Sequence, residues 1–555
     1  MADYADTKRQ SPLLIKQQTW VGGVQDFVPK NRIGPTAAAR LENIETHIHG
    51  TVRRRGGLRA WYQHISSSTD LPLLQKSFHG IRATVPLLAS IYNSAYLTPK
   101  VTIDYGGSNQ QSVTVTAPFA FDERTDVFQL LDRLYFTYRG FAPQYWEPGA
   151  MQLLQERASP GFPDTTIPPV ATGVYFQGRA WAGADPDKPD LVYFSSGLGT
   201  DGNGESNSSP FTWDRVFQAF RMETGNVEAI IPFRNDALIV FTDRGIETIE
   251  PNPNNILNSY RITLNRIIGC INRHTIQMCG EEIFFMDQDG HIRSLSQTEL
   301  DENRGITNAP ISLSINNVIE RQTKNRLAWT RSGFLNGIYW IWMPTNGSQY
   351  ATEGWGWSIR DQAWIGPYFF QRDATGGTLT PAIVGGIANH RFDMDQQRSY
   401  FLIKNNSGAI KSYIGLDSAD LTDEGTTIPV IIETAAYAPK EEVRKTWQHL
   451  EHEFRFISAP HDATVDMLVE VRSDEGGFNT AAIKTITPDA APNLPATLPF
   501  TLTPYSRQTI KTSLTSITPR SYSIQQRLTI RDAIDTWELI ATLMSAFPDN
   551  MEYNV

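Results

Sequence analysis

The chain has 555 residues and a mass of 62.3 kDa, which is enough for about three or four ordinary domains or for fewer large β architectures. Asp and Glu outnumber Lys and Arg by 59 to 49, and this acidic balance argues against a protein that coats nucleic acid or an anionic membrane. Two cysteines, Cys270 and Cys279, are too few for a disulfide framework or for a zinc site built from four cysteines. The sequence shows no signal peptide and no apolar run near the ~18 residues of a membrane helix, which predicts a soluble intracellular product without membrane insertion.

A short apolar run, a turn and an alternating strand recur through the middle of the chain. This pattern predicts β-hairpins, and their spacing of 45 to 62 residues leaves room for about four strands in each unit. Repeated four-stranded units are typical of a β-propeller, which we predict for residues 61–420, with another multi-sheet β fold as the alternative. The recurrences begin at Leu134, Leu191, Leu238, Ile283, Ile338 and Tyr400.

Other parts of the chain have different patterns of apolar and polar residues. Residues 37–47 and 213–220 have apolar side chains at helical spacing, and we predict short helices there. Apolar and polar residues alternate strictly in several stretches of residues 421–555, which predicts a separate antiparallel β-sandwich. A proline-rich excursion at 488–504 cannot pair as a central strand, so it either contacts a partner or is a plain surface connection. The predicted fold class is therefore all-β, with a propeller, a C-terminal sandwich and an N-terminal assembly segment at 1–60.

Sequence motifs of nucleotide, zinc-protease or serine-hydrolase sites are missing, and the remaining candidates for chemistry are weak. His47 and His49 could hold a metal but lack a third ligand, and the acidic loop at 201–205 lacks the later ligands of a calcium loop. Neither cysteine has redox or zinc spacing. Paired carboxylates of the kind that glycosidases use are better explained as turn residues, because Asp side chains bond the local backbone. These pairs are Asp287 with Asp289 and Asp393 with Asp395. We predict no cofactor, no metal and no catalytic residue.

The N-terminal residues are the most specific part of the chain. Trp20 is followed by Gly22-Gly23-Val24, then by Asn43, and then by the segment 50–57, Gly-Thr-Val-Arg-Arg-Arg-Gly-Gly. This order of motifs resembles the opening of the tail nozzle, or tail hub, proteins of short-tailed, podovirus-like bacteriophages, a family that also includes tail tubular, accessory and stabilisation proteins. The family commonly has Arg-Pro-Gly where this chain has Arg55-Gly-Gly. The resemblance is strong over residues ~18–60, moderate to ~415 and only architectural beyond.

The resemblance implies a non-enzymatic structural protein of the virion tail, synthesised in the cytoplasm of a host bacterium. Its expected partners are further copies of itself in a homohexameric ring, the portal–adaptor (head-to-tail connector) protein, and a tail fibre or tailspike. Viral DNA would pass through the channel without sequence-specific binding, and a net acidic chain suits such a conduit because retained phosphate contacts would slow ejection.

Six residues follow from this resemblance as candidates for a partner interface: Gly22, Gly23, Asn43, Arg53, Arg54 and Arg55. The three arginines would form inter-subunit ion pairs or contact an acidic adaptor surface, and the alternative is a solvated run of charge. If they serve assembly, replacing all three with serine should leave the chain folded and block its addition to the tail.

Two rival functions belong to other classes. One is a carbohydrate-binding or glycoside-hydrolysing propeller at the tail tip, and the other is a propeller scaffold of the host cytoplasm.

Overall fold

The computed structural model describes residues 13–548, except 18, 28, 35, 47–49, 65–68, 79–86, 94–98, 106–109, 116–120, 139, 156–166, 197–218, 253–254, 299–308, 372–381, 394–395, 418–419, 421, 438–443, 458–464, 475, 487–504, 515–520, 522 and 534–535. The described residues are almost entirely β-strands. Their strands form eight sheets, which make up the seven blades of a propeller, called here blades 1 to 7, and the two layers of a sandwich; blade 6 and the second sandwich layer belong to the same sheet. The prediction of an all-β propeller with a C-terminal β-sandwich is confirmed.

The first four blades follow one another along the chain, and each has four strands in sequence order. Blade 1 consists of Leu71–Phe78, Leu87–Asn93, Pro99–Asp104 and Gln110–Val113. Blade 2 consists of Val127–Leu130, Arg133–Tyr138, Phe141–Trp146 and Leu154–Gln155. Blade 3 consists of Thr172–Phe176, Arg179–Gly183, Leu191–Phe194 and Ala219–Arg221. Blade 4 consists of Val227–Phe233, Ala237–Thr242, Ile246–Glu250 and Tyr260–Asn265.

The last three blades depart from this simple order. Blade 5 consists of Gln277–Cys279, Glu282–Met286 and Ile292–Ser294. Blade 6 consists of Arg331–Leu335, Ile338–Met343, Glu353–Ser358 and Ala363–Tyr368. Blade 7 consists of Ile383–Asp393, Gln396–Lys404 and Ile410–Asp417, followed by Gly57–Gln63 from the N-terminal part of the chain and by the short strands Thr422–Asp423 and Thr426–Thr427. The ring of blades is therefore closed by a strand that precedes blade 1.

Apolar clusters fill the space between neighbouring blades all round the ring. Trp146 belongs to the cluster between blades 1 and 2, and Trp181 to the cluster between blades 3 and 4. Trp342 lies between blades 6 and 7, and Leu88 of blade 1 packs on Tyr400 of blade 7. Each blade is hydrophobic on both faces, so it becomes stable only between two neighbours.

The two sheets of the sandwich take strands from both ends of the chain. The first sandwich sheet consists of Leu13–Gln17, Ile44–Thr46, Val52–Arg54, Lys445–Ile457, Tyr505–Ser513 and Thr536–Pro548. The second sandwich sheet consists of Ala38–Glu42, Val430–Thr434, Val465–Ser473, Asn479–Ile486 and Ile524–Ala533. Their facing side chains, including Trp447, Phe454, Met467 and Leu528, belong to one buried cluster.

The second sandwich sheet continues directly into blade 6. Ala38–Glu42 pairs with Val430–Thr434 on one side and meets the outer strand of blade 6 on the other, where Leu41 is opposite Gly366. Propeller and sandwich thus share one sheet of nine strands. Four strands of the segment predicted as a separate unit at 1–60 therefore belong to the sandwich sheets, and the strand that begins at Gly57 closes the propeller.

Helices are short and few within the described residues. The α-helices are Leu295–Thr298 and Asn316–Glu320. The 3-10 helices are Lys30–Arg32, Ile256–Asn258, Arg273–Thr275, Ile311–Ile315 and Lys324–Trp329. The helix predicted at 37–47 is wrong, because Ala38–Glu42 and Ile44–Thr46 are strands of the two sandwich sheets on either side of a turn at Asn43; residue 47 lies outside the described residues. Of the helix predicted at 213–220, the part before Ala219 lies outside the described residues, and Ala219 and Phe220 belong to a strand.

The candidate assembly site at the propeller–sandwich junction

Arg55 is buried at the point where the propeller meets the sandwich. Its two terminal nitrogens donate to the carboxylate of Asp423 at 2.9 and 2.6 Å, and they also donate to the carbonyls of Gly56 and Phe369, each at 2.9 Å. Its Nε donates to Oδ1 of Asn43 at 3.1 Å. All five N–H groups of the guanidinium therefore have an acceptor, which is the condition under which a buried arginine is tolerated. Within this chain, the side chain of Arg55, which we predicted to contact a partner, is enclosed by intramolecular contacts.

Asn43 connects three separate segments through one side chain. It turns the chain between two strands at φ 56°, a left-handed conformation that asparagine adopts more readily than most residues. Its Oδ1 accepts from Arg55 and from the backbone N–H of Phe369 at 3.0 Å, and its Nδ2 donates to the carbonyl of Pro429 at 2.8 Å. Asn43 therefore has a structural role inside the junction.

Gly22 and Gly23 allow the N-terminal segment to lie directly on the backbone of blade 6. Gly23 has φ 60°, and a Cβ atom at this position would lie 2.3 Å from the carbonyl oxygen of Trp364. The next residue, Val24, donates its N–H to the same oxygen at 2.8 Å. A Cβ on Gly22 would lie 2.9 Å from the carbonyl oxygen of Thr36. Both glycines are required by close backbone approach, so these predicted interface residues act within the chain.

The other two arginines differ in exposure. Arg54 is buried, whereas the side chain of Arg53 is 28% exposed and lies 3.3 Å from the carboxylate of Glu45. Burial raises the pKa of Glu45, and the neighbouring charge of Arg53 acts in the opposite direction. Of the six residues predicted for the interface, Arg53 is the one whose charged group reaches the surface in this chain.

A charged cleft of about 390 Å³ opens beside this junction. Asp26 contributes a carboxylate whose Oδ1 is buried without a hydrogen-bond partner, and burial raises its pKa to about 6. Arg321 also lines the cleft and donates to Glu353 at 3.3 Å. No local sequence pattern predicts this cleft, because its residues come from the N-terminal segment, blade 6 and the sandwich.

Asp287 bonds the local backbone of a turn, as the sequence predicted. It accepts from the backbone N–H groups of Asp289 and His291, and Nε of Arg293 donates to it at 2.6 Å. Its carboxylate therefore shapes the turn between two strands of blade 5.

The remaining candidates for chemistry are not brought together as a site. His47, His49, Asp395, the loop at 201–205 and the proline-rich excursion at 488–504 lie outside the described residues, and Asp393 ends a strand of blade 7. Burial raises the pKa of the Cys270 and Cys279 thiols to about 12. Within the part of the chain that the structure describes, no three His, Cys, Asp or Glu side chains cluster closely enough to hold a metal ion. The helices in this part of the chain are all too short or too polar to span a membrane.

Comparison with known proteins adds likenesses of overall shape. No protein-family description matches the chain, and no curated protein sequence matches it. Among solved structures, the chain is similar to the WD40 β-propeller domain of Doa1 at 9% identity and a TM-score of 0.35, over 64% of this chain and 97% of that one. It is also similar to the extracellular domain of a putative one-component system from B. thetaiotaomicron, at 9% identity and a TM-score of 0.37, over 86% of this chain and 60% of that one.

A fructofuranosidase from Schwanniomyces occidentalis matches over 94% of this chain and 99% of its own length, at 9% identity and a TM-score of 0.24. Likenesses this distant say nothing about activity.

Proposed function

We propose that this protein is a structural component of a short-tailed bacteriophage tail, a nozzle or hub subunit that forms a ring below the portal and its adaptor. In this role it extends the channel for DNA ejection, anchors fibres or spikes, and performs no catalysis. The observation that carries the proposal is the position of the nozzle-like residues. Gly23, Asn43 and Arg55, which carry the resemblance to nozzle proteins, all meet at the junction of propeller and sandwich.

The junction suits a part that must keep its shape under load. Propeller and sandwich share a continuous nine-stranded sheet, and the ion pair of Arg55 with Asp423 connects the N-terminal segment to a short strand of blade 7. A subunit of a tube wall benefits from such a joint, because a hinge between its domains would let the channel deform. The two domains also offer separate outer surfaces, one for neighbouring copies and one for the adaptor or a fibre.

The copy number of this chain in purified virus particles tests the proposal. Quantitative mass spectrometry should give about half the copy number of the portal protein, as expected for a hexamer below a twelve-fold portal. Absence of the chain from particles would contradict the proposal and would favour a scaffold of the host cytoplasm.

The interface role of Arg53 can be tested in the same particles. Arg53→Ser removes the one charge of the arginine triplet that is partly exposed, so we expect a folded chain that is incorporated less well. Arg244→Ser removes an exposed arginine of blade 4 and is the matched control. Equal incorporation of the two variants would remove Arg53 from the interface while leaving the nozzle proposal intact.

A second candidate function is carbohydrate binding, with or without glycoside hydrolysis, at the tail tip. A groove of about 850 Å³ between loops of blades 6 and 7 is lined by Asn346, Ser348, Tyr350, Asn405 and Asn406. Amide and hydroxyl groups beside an aromatic ring match the polar edges and apolar faces of sugars. Binding of host surface polysaccharide that Tyr350→Ala abolishes and Tyr260→Ala preserves would support this function. Saccharide cleavage that depends on a carboxylate would extend it to an enzyme.

A further inference from the structure

A cavity of about 440 Å³ lies among the inner strands of the propeller. Its walls come from the first strands of blades 1, 6 and 7 and from the segment that enters blade 5. Four basic side chains contribute to these walls, and none of the described residues that line the cavity is acidic. The basic residues are Lys76, Arg273, His274 and Arg331. A concave space lined by basic side chains attracts anions.

Arg331 is a buried positive charge that has no carboxylate in contact. Its Nε donates to the carbonyls of Leu73 and Gly385 at 2.9 and 2.8 Å, and its other nitrogens donate to the carbonyls of Ala328, Thr330 and Glu123. Among the described residues, no Asp or Glu carboxylate forms an ion pair with the guanidinium, although the charges of Glu123, Asp122 and Asp126 act on it from a greater distance. Burial lowers its pKa to about 10, which still leaves it charged at neutral pH. A buried charge is costly until an opposite charge compensates it.

Two further basic groups lie around the same space. Arg273 is buried and donates to the carbonyl of Ala171, and no described carboxylate forms an ion pair with it. Lys76 differs, because it is paired with Asp126. The cavity therefore holds two guanidinium groups whose charge the described part of the protein does not neutralise by direct contact.

His274 and Gln75 add unused hydrogen-bond acceptors. His274 is 6% exposed, and its ring donates to the carbonyl of Thr125, which leaves Nε2 buried without a partner. Burial and the nearby charges of Arg331, Lys76 and Arg273 lower the pKa of this ring, so it is neutral and Nε2 accepts. The Oε1 atom of Gln75 is also buried without a partner, while its Nε2 donates to the hydroxyls of Ser90 and Ser412.

Cationic donors together with free acceptors define an unusual ligand. The oxygen atoms of an oxyanion accept hydrogen bonds from the guanidinium groups and neutralise their charge. A hydroxyl on the same oxyanion donates a hydrogen bond to a buried acceptor, which a fully deprotonated anion cannot do. Phosphate near neutral pH carries both features, whereas sulfate carries only the charge. We propose that the cavity among blades 1, 5, 6 and 7 binds a protonated phosphate group, either free inorganic phosphate or the end of a phosphomonoester.

The experiment compares ligands on the full-length protein at pH 7 and constant ionic strength. Inorganic phosphate should raise the melting temperature saturably by about 2–4 °C at concentrations well above its Kd. Sulfate should bind at least about tenfold more weakly, because it leaves the acceptors of His274 and Gln75 unmet. A phosphomonoester, adenosine monophosphate, distinguishes the two sources: tighter binding than inorganic phosphate assigns the site to phosphomonoesters, and weaker binding assigns it to the free ion. Equal shifts with phosphate and sulfate would overturn the proposal.

Two variants and a matched control link the effect to the cavity. His274→Phe keeps a ring of similar size and removes the acceptor, so phosphate should lose its advantage over sulfate. Arg273→Gln removes a guanidinium and should weaken phosphate binding at least about tenfold. Arg244→Gln removes the same charge from an exposed site and should bind phosphate as the unchanged protein does. If His274→Phe does not fold, Arg273→Gln decides alone, and unchanged binding by that variant would refute the site.

Discussion

Arg55 and Asp423 form a two-point ion pair that is enclosed in the protein, although 368 residues separate them in the chain. The arginine follows the last N-terminal strand of the sandwich, and the carboxylate lies in the segment that leads from blade 7 back to the sandwich. Asp423 also accepts from the backbone N–H of Gln371 at 2.8 Å. One contact thus connects the N-terminal segment, the loop after blade 6 and a short strand of blade 7.

We expect Arg55→Ser to destabilise the protein strongly. The substitution leaves the Asp423 carboxylate buried without its cation, and breaking such a pair costs about 3–5 kcal/mol. Arg53→Ser removes a partly exposed pair and should cost less than about 1 kcal/mol. Denaturation midpoints of the two variants measure the difference. Similar losses of stability in both would contradict the burial of Arg55.

This contrast changes the experiment that the sequence suggested. Replacing Arg53, Arg54 and Arg55 together removes two buried arginines with the partly exposed one, so a failure to enter the tail would report folding rather than assembly. Substitution of Arg53 alone separates the two effects.

Gly23→Ala should be one of the most damaging single-methyl changes in the chain. The added Cβ would lie 2.3 Å from the carbonyl oxygen of Trp364, and the backbone has a positive φ that alanine disfavours. We expect the free energy of unfolding to fall by about 2–4 kcal/mol, because the cost of backbone strain adds to the cost of overpacking.

Gly34→Ala is the matched control for this change. No atom outside its immediate neighbours lies within 4 Å of a Cβ at Gly34, so the melting temperature should stay within about 1 °C of the unchanged protein. If Gly23→Ala has the same melting temperature as Gly34→Ala, blade 6 does not pack on this segment as described.

The sequence predicted the local hairpins and missed the long-range pairings. Each of the six predicted hairpin starts lies in a different blade, because an apolar strand, a turn and a second strand form a contiguous signal. Blade 1 gave no such signal, since its first two strands, Leu71–Phe78 and Leu87–Asn93, are joined by a longer connection. The closing strand Gly57–Gln63 pairs with Ile410–Asp417, and nothing local in either segment identifies the other.

The same limit explains the errors at the site. Residues 38–42 have good helix formers, but strand partners on both sides override this weak local preference. Nothing local indicates that Arg55 is buried, because its carboxylate partner, Asp423, is 368 residues away in the chain. The turn at Asn43 and the close approach at Gly23 have the residue types that such positions need, so the motif was visible although its structural purpose was not.

Acid should destabilise the protein between pH 6.5 and 4 through two buried histidines. Burial lowers the pKa of His452 to about 4 and that of His64 to about 3. Below pH 6.5 the unfolded chain binds protons that the folded protein excludes, so the stability present above pH 6.5 is lost as the pH falls. Each histidine should contribute a loss of about 2 kcal/mol between pH 6.5 and pH 5.

Melting temperatures at pH 7.5 and pH 5 measure this loss. His452→Gln should reduce the difference between the two temperatures, because glutamine does not titrate. His449→Gln, on the same strand but with a more exposed side chain, is the matched control. If His452→Gln and His449→Gln show the same pH dependence, proton exclusion at His452 does not contribute.

Asp26→Asn should stabilise the protein at pH 8 and have little effect near pH 4. Burial raises the pKa of Asp26 to about 6 and outweighs the opposing charge of Arg321, so the folded protein carries an unfavourable carboxylate above that pH. The side chain is only partly buried, and solvent screening therefore reduces the expected gain at pH 8 to about 1–2 kcal/mol. As the pH falls through 6 toward 3.8, the folded protein takes up its proton first and the advantage of asparagine disappears.

Denaturation midpoints of both proteins at pH 8 and pH 4.5 measure this change. An asparagine variant that is less stable at pH 8 would mean that the Asp26 charge is favourably paired with Arg321 across the cleft.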